Sequence, residues 1–179
     1  QDALPEKVDV AIIGGGVAGV STAWFLAQRG ISVLIIEKGR IACEQSSRNW
    51  GWIRQQGRDA DELPIMMDSI RHWEEIDKTV GEGVGFKKTG ILYLASNEAE
   101  LQGYEKWLDV ARPYQLDTRM VSADEVHSMV EGNSSKWIGG LYTASDGRGE
   151  PFTAVPAVAH WLRDNKGVQI REQRSEEHT

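Results

Sequence analysis

The 179 residues include a single cysteine, Cys43, so no disulfide can close within the chain. Apolar runs are short, none approaching the roughly 20 residues that a membrane-spanning helix needs. Residues 1–7 lack the basic stretch and apolar core of a secretory signal. Positive charge is also in deficit. With 27 acidic against 20 basic side chains, the net charge of −7 repels nucleic-acid phosphates and anionic headgroups alike. Four histidines, His72, His127, His160 and His178, fall at no metal-ligand spacing, so no metal site is expected. These absences exclude a disulfide scaffold and a helical membrane span, argue against a nucleic-acid binder, and lead us to expect a cytoplasmic setting. The 40% hydrophobic and 26% charged composition suits a folded domain with a substantial core. Cys43 is expected to be a small buried thiol.

What is present is most informative near the start. Residues 8–13 form a compact apolar run ending in three glycines, short enough for a buried parallel strand. Val20, Ala23, Trp24 and Ala27 then recur with helical spacing, and Gly30 stands at the C-terminal end of that helix. Residues 32–37 read as a second strand, completing a βαβ unit. Residues 38–61 carry no clear period and are expected to be a functional loop. Leu63, Met66, Met67 and Ile70 restore a helical stripe that Trp73 and Val80 extend, with Pro64 tolerated in the first turn. Residues 90–95 predict a strand. Asn97 with Glu100, and Ser122 with Glu125, predict capped helices, the first closed by Pro113. Residues 137–142 predict a strand, Pro151 opens a helix that Gly167 stops, and residues 168–171 predict one more strand. The last six residues, 174–179, show no pattern attachable to the fold and are expected to be non-native.

Gly14-Gly15-Gly16-Val17-Ala18-Gly19 satisfies G-x-G-x-x-G directly after a strand and at the start of a helix. Gly14 permits the tight turn, Gly16 lets a pyrophosphate approach the backbone, and Gly19 lets helix and strand pack closely. Free N–H groups and the positive end of the helix dipole face the phosphates. Glu37, ending the second strand, can accept hydrogen bonds from ribose hydroxyls and would repel a 2′-phosphate. NADP is disfavoured, leaving NAD or FAD.

The loop sequence Ser46-Ser47-Arg48-Asn49-Trp50-Gly51-Trp52-Ile53-Arg54 follows, where a nicotinamide domain would proceed to its next βαβ unit. With the glycine turn and Glu37-Lys38, it resembles the D-amino-acid oxidase superfamily of flavoproteins, which includes sarcosine oxidase, glycine oxidase and D-amino-acid dehydrogenase. Asp146-Gly-Arg-Gly-Glu150-Pro151 is similar to the acidic-glycine-proline segment that leads into a later flavin-domain helix of that family. The resemblance implies an α/β fold: a Rossmann-like FAD domain over residues 1–85 and 143–173, with residues 86–142 forming part of a second, α+β substrate domain. It implies FAD as cofactor, held by Gly14, Gly16, Val17, Ala18, Gly19, Glu37, Lys38, Ser46, Ser47, Asn49, Trp50 and Gly51.

It also implies oxidation of the C–N bond of an amino acid or secondary amine, with electrons passed on to oxygen or to a respiratory acceptor at the membrane. In such enzymes the second part of the flavin site lies further along the chain, so this chain resembles an N-terminal portion. Arg48 and Arg54 flank the tryptophans, and a guanidinium fork suits a substrate carboxylate. Pairing with Asp59, Asp61 or Glu62 is the bland alternative; the resemblance selects Arg54 for substrate. No general base stands out. The competing functions are an NAD-dependent dehydrogenase and a nucleotide-binding fragment without catalysis.

Overall fold

In a computed structural model, residues 3–132 and 136–174 are described; of the expected non-native tail, residues 175–179 lie outside them. The chain divides into two compact units. Within the described residues, the first takes those up to 51, 75–86, and those from 149 onward; the second takes 52–74 and 87–148.

The first unit is built on a parallel sheet. Strands β1 (Val10–Ile13) and β2 (Val33–Ile36) pair Val10 with Val33 through Ile13 with Ile36, and β8 (Gln169–Arg171) joins the far side of β2. A clip ahead of both strands sets this register. Asp9 Oδ2 accepts from the Ser32 hydroxyl at 2.6 Å and from the Ser32 N–H at 2.9 Å, while the Asp9 N–H donates to Ser32 Oγ. The Ser32 hydroxyl and amide hold the Asp9 carboxyl below its ordinary range. Because the clip uses residues 9 and 32, the strands are each shorter than predicted, and Glu37 stands just beyond β2.

Helix α1 (Val17–Gln28) buries Val20, Ala23, Trp24 and Ala27, the four positions its spacing indicated. Gly30, at φ +74°, follows its last turn. Helix α5 (Ala154–Lys166) buries Val155, Val158, Ala159 and Leu162 and ends at Gly167, φ +69°. It begins later than expected: Pro151 lies in a turn, and the Thr153 hydroxyl donates to the Gly83 carbonyl rather than capping the helix. Trp24 and Trp161 pack with ring centroids 5.2 Å apart, joining α1 to α5.

The second unit holds an antiparallel sheet in the order β4 (Ile91–Ala95), β6 (Gly139–Thr143), β5 (Thr118–Ser122). Helices α3 (Glu98–Ala111) and α4 (Ala123–Met129) accompany it, and β3 (Trp52–Ile53) pairs with β7 (Gly147–Arg148). Helix α2 (Leu63–Val80) matches its predicted span. The Ser122–Glu125 capping box is complete. At α3, Asn97 caps the Glu100 N–H, but the Glu100 carboxylate turns to the Ser96 N–H instead of closing the box. Strand β6 starts at Gly139, later than predicted. A Cβ at Gly140 would lie 2.3 Å from the Tyr93 carbonyl oxygen, so glycine there lets β4 approach.

Beneath this sheet lies a buried polar cluster. Asp146 is fully buried, and its carboxylate accepts from the N–H groups of Gln55 and Gln56 at 2.8 and 3.0 Å and from Gln55 Nε2 at 3.2 Å. Burial pushes its carboxyl above the ordinary range, against the pull of those bonds. Gln56 Oε1 accepts from Thr143 Oγ1 at 2.7 Å, and Gln56 Nε2 donates to the Leu141 carbonyl.

Trp24 is 2% exposed and central to the first unit. Trp24→Ala is therefore expected to lower the unfolding free energy by about 3–5 kcal/mol in denaturant titration. A loss under about 1 kcal/mol would mean that the α1–α5 contact is dispensable.

Candidate functional site

The space between β1 and α1 is shaped by its glycines. Gly14 has φ +104° and its N–H donates to the Ile36 carbonyl at 2.8 Å, tying the turn to the end of β2. A Cβ on Gly14 would meet nothing within 4 Å, so the ground ahead of the turn is open. A Cβ on Gly19 would sit 2.0 Å from the Gly14 carbonyl oxygen, a backbone atom that cannot yield. Gly16 is the N-cap of α1 and faces the Ser46 hydroxyl, whose Oγ would be 3.1 Å from an added Cβ. That hydroxyl accepts the Val17 N–H at 2.8 Å. It can still donate its own proton to an anion at the positive end of the helix.

Glu37 is 8% exposed, and each carboxylate oxygen accepts one backbone N–H at 2.7 Å: Oε2 from Gly15 and Oε1 from Gly39. A carboxylate has about four lone-pair sites, which leaves capacity for ribose hydroxyls. Gly15 was assigned no part by sequence reasoning, yet it is the hinge of this arrangement. Its carbonyl accepts the Ala42 N–H at 2.9 Å, and a Cβ there would collide with Ile41 Cδ1 at 2.4 Å. The three consecutive glycines were the signal. Glu172 was also missed: it accepts the Ile41 N–H at 2.7 Å from 131 residues away, and nothing local announces it. The Gln173 and Arg174 N–H groups donate to the Gly39 and Glu37 carbonyls, each at 2.9 Å, so β8 and its continuation hold the loop after Glu37.

Ser46 and Ser47 lie in a 3-10 turn, Gln45–Ser47. Asn49 closes it, donating from Nδ2 to the Ser46 carbonyl at 2.9 Å and accepting the Gly51 N–H at 2.7 Å. Gly51 has φ +71°, and a Cβ would lie 2.4 Å from the Gly149 carbonyl oxygen. Gly14, Gly16, Val17, Gly19, Glu37 and Ser46 thus converge on one cradle. Ala18 lies exposed in the first turn of α1, Lys38 is exposed beside Glu37, and Trp50 is 82% exposed. Cys43 is exposed, not buried: Ala42, at φ +61°, takes the buried position and the chain turns outward after it.

The two arginines separate. Arg48 forms an exposed ion pair with Glu44 within its own turn, the bland outcome. Arg54 belongs to the second unit and pairs with none of Asp59, Asp61 or Glu62; Arg58 stands 3.6 Å from Glu62 instead. Arg54 Nη1 donates to the Gln56 carbonyl, and the guanidinium lies 5.8 Å from the centroid of the Tyr93 ring. Among the described residues it has no carboxylate partner.

The profile of the DAO family, described as FAD dependent oxidoreductase, matches residues 9–178. The chain is 25% identical over 160 residues to mitochondrial dimethylglycine dehydrogenase of Mus musculus, covering 88% of this chain and 18% of that protein. Among solved structures, an L-amino acid deaminase from Proteus myxofaciens in complex with anthranilate superimposes with a TM-score of 0.90 at 29% identity, over 97% of this chain and 40% of that one. Glycine oxidase from Bacillus cereus ATCC 14579 gives 0.83 at 31%, over 93% and 48%. The chain therefore spans less than half the length of each of these relatives.

Gly16→Val would place a branched side chain against Ser46 Oγ and in front of the α1 N–H groups. In the full-length protein, FAD affinity is expected to fall by at least about tenfold, equivalent to about 1.4 kcal/mol, with far-UV circular dichroism unchanged. Unaltered affinity would remove Gly16 from the cofactor cradle.

Proposed function

The chain belongs to the DAO family of FAD dependent oxidoreductases, and from that premise we propose that it is the FAD-binding portion of an enzyme oxidising the carbon–nitrogen bond of an amino acid or secondary amine. The observation that carries the cofactor assignment is the cradle of Gly14, Gly16, Glu37 and Ser46, in which a buried carboxylate with spare lone pairs and an anion-binding helix end share one turn. Its residues fit the adenosine ribose and the pyrophosphate respectively. The serine turn and Asn49 hold the following loop toward Gly51.

FAD supplies the two-electron acceptor. The substrate gives up a hydride equivalent from a carbon bound to nitrogen. A primary or secondary amine also loses its N–H proton to give an imine, a tertiary amine leaves an iminium ion, and water hydrolyses either to a carbonyl compound and the released amine. The work of this chain is binding and orientation. Dimethylglycine and glycine, which the names of two relatives carry, both bear a carboxylate next to the amine-bearing carbon. Arg54 supports the same substrate class here. Its guanidinium is held by a carbonyl and an aromatic ring, both neutral, so its charge is left for an incoming carboxylate.

Anaerobic mixing of the full-length enzyme with glycine, sarcosine, N,N-dimethylglycine or L-phenylalanine tests the proposal. Bleaching of the oxidised flavin bands by at least one of them is expected. A flavin that none of them reduces would overturn the amine assignment, and a colourless protein stabilised by NAD would replace it with a nicotinamide enzyme.

Arg54→Met tests the carboxylate contact separately. Losing a desolvated charge partner costs on the order of 2–5 kcal/mol, against at most about 1 kcal/mol for a surface ion pair. KM for the amino acid should rise accordingly while the bound flavin spectrum stays intact. Wild-type kinetics would return Arg54 to a loop role.

A further inference from the structure

Arg54 has no rigid element of its own to hold it. It follows the two-residue strand β3 and precedes Gly57, φ +69°, in a stretch with no further regular structure until α2. Yet its guanidinium is fixed at two points. One is the Gln56 carbonyl, to which Nη1 donates; the other is the face of Tyr93 on β4. The first point is only as firm as the backbone of residues 55 and 56, and that backbone is held by Asp146. Oδ1 takes the Gln55 N–H and Oδ2 takes the Gln56 N–H, so one carboxylate grips two successive peptide units. Gln55, Gln56 and Asp146 are 5%, 0% and 0% exposed, so water does not compete for these bonds. The Gly57 backbone leaves the guanidinium just enough room. A Cβ at Gly57 would be 3.0 Å from Tyr93 Cε2 and 3.3 Å from Arg54 Nη1.

We propose that Asp146 is a positioning residue for the substrate carboxylate: by clamping the Gln55 and Gln56 amides it fixes the carbonyl that aims Arg54. This rests on Arg54 being the carboxylate ligand. The geometry requires two acceptors facing two amides about one residue apart, which an aspartate supplies and an asparagine does not. In Asp146→Asn the side chain keeps one acceptor and turns an NH2 group toward the other amide, so donor meets donor. The volume is unchanged, and the flavin cradle draws on none of these residues.

Two measurements on the full-length enzyme test the inference. The first is hydrogen–deuterium exchange of the segment around Gln55 and Gln56. These amides are expected to be protected in the wild type and to exchange faster in Asp146→Asn. Rapid exchange in the wild type would show that the clamp does not exist and would overturn the proposal, whether or not the variant folds.

The second is steady-state kinetics with sarcosine, or, if sarcosine is not turned over, competitive inhibition by acetate, in wild type, Arg54→Met, Asp146→Asn and the double variant. Asp146→Asn should raise KM, or the inhibition constant, roughly ten- to hundredfold, as expected for a displaced binding group, with kcat and the flavin spectrum retained. It should add little in the Arg54→Met background, because both changes disable the same contact. A raised KM in Arg54→Met with an unchanged KM in Asp146→Asn would overturn the proposal and leave Arg54 as ligand. An unchanged KM in Arg54→Met would overturn the carboxylate assignment itself, and the positioning role with it. A purely structural Asp146 would lower flavin content and kcat together and would also overturn the proposal.

Discussion

The Gly14 carbonyl oxygen passes within 2.0 Å of where a side chain on residue 19 would begin. That approach brings the first turn of α1 against the end of β1, and the rest of the nucleotide cradle is arranged around it. With the helix so close, its unpaired N–H groups open onto the space ahead of Gly14, and Ser46 can reach the Val17 amide. The same compactness lets the Gly15 N–H reach Glu37, so that the acid at the end of β2 is fixed by the turn it serves. A side chain at residue 19 would separate strand from helix, because its Cβ would meet the Gly14 carbonyl oxygen, whereas Gly14, at φ +104°, is required by the backbone conformation of the turn and not by space.

The second unit solves a similar problem by a different device. Its loop between β3 and α2 has neither a helix end nor a glycine run to shape it. A single buried carboxylate at Asp146 takes the place of a partner strand, accepting the successive amides that a regular sheet would otherwise satisfy. The Gln56 side chain, bonded to Thr143 and Leu141, extends this anchor into the central strand β6. The amide N–H groups of Gln55 and Gln56 and both glutamine side-chain NH2 groups have acceptors here, which offsets the desolvation that raises the Asp146 carboxyl.

Much of this was legible in the sequence wherever one period or one motif governs a segment. The α1 stripe, the α5 stripe, the extent of α2 and the Ser122 capping box follow from local spacing alone, and the structure places them there. Strands β3, β5 and β7 were not legible. Trp52–Ile53 and Gly147–Arg148 are too short to show alternation, and Thr118–Ser122 is largely polar, so only pairing with distant residues makes them strands. The geometry of the turn was readable in Gly14, Gly16 and Gly19, whose roles are steric and local, and Glu37 stood out by its place at the end of the second strand. Glu172 was not readable, and Gly15 was signalled only by the run of three glycines, since their contacts with Ile41 and Ala42 lie outside any short window. Cys43 was misjudged for a related reason: thiols are commonly buried, but the left-handed turn at Ala42 reverses which residue faces inward.

The two arginines of the serine-rich loop show how energetics separates residues that sequence treats alike. Arg48 and Glu44 have side chains 60% and 64% exposed, and an ion pair in that setting contributes at most about 1 kcal/mol, however short it is. Its charge is nonetheless compensated, so an incoming carboxylate would have to displace Glu44. Arg54 is half-buried and rests on a carbonyl and a ring, which orient a guanidinium without neutralising it. A cation kept ordered by neutral contacts has lost its conformational freedom in advance. The entropy of ordering a long side chain is then already spent when the anion arrives. This asymmetry, more than sequence position, is the physical reason that Arg54 rather than Arg48 is proposed for the substrate carboxylate.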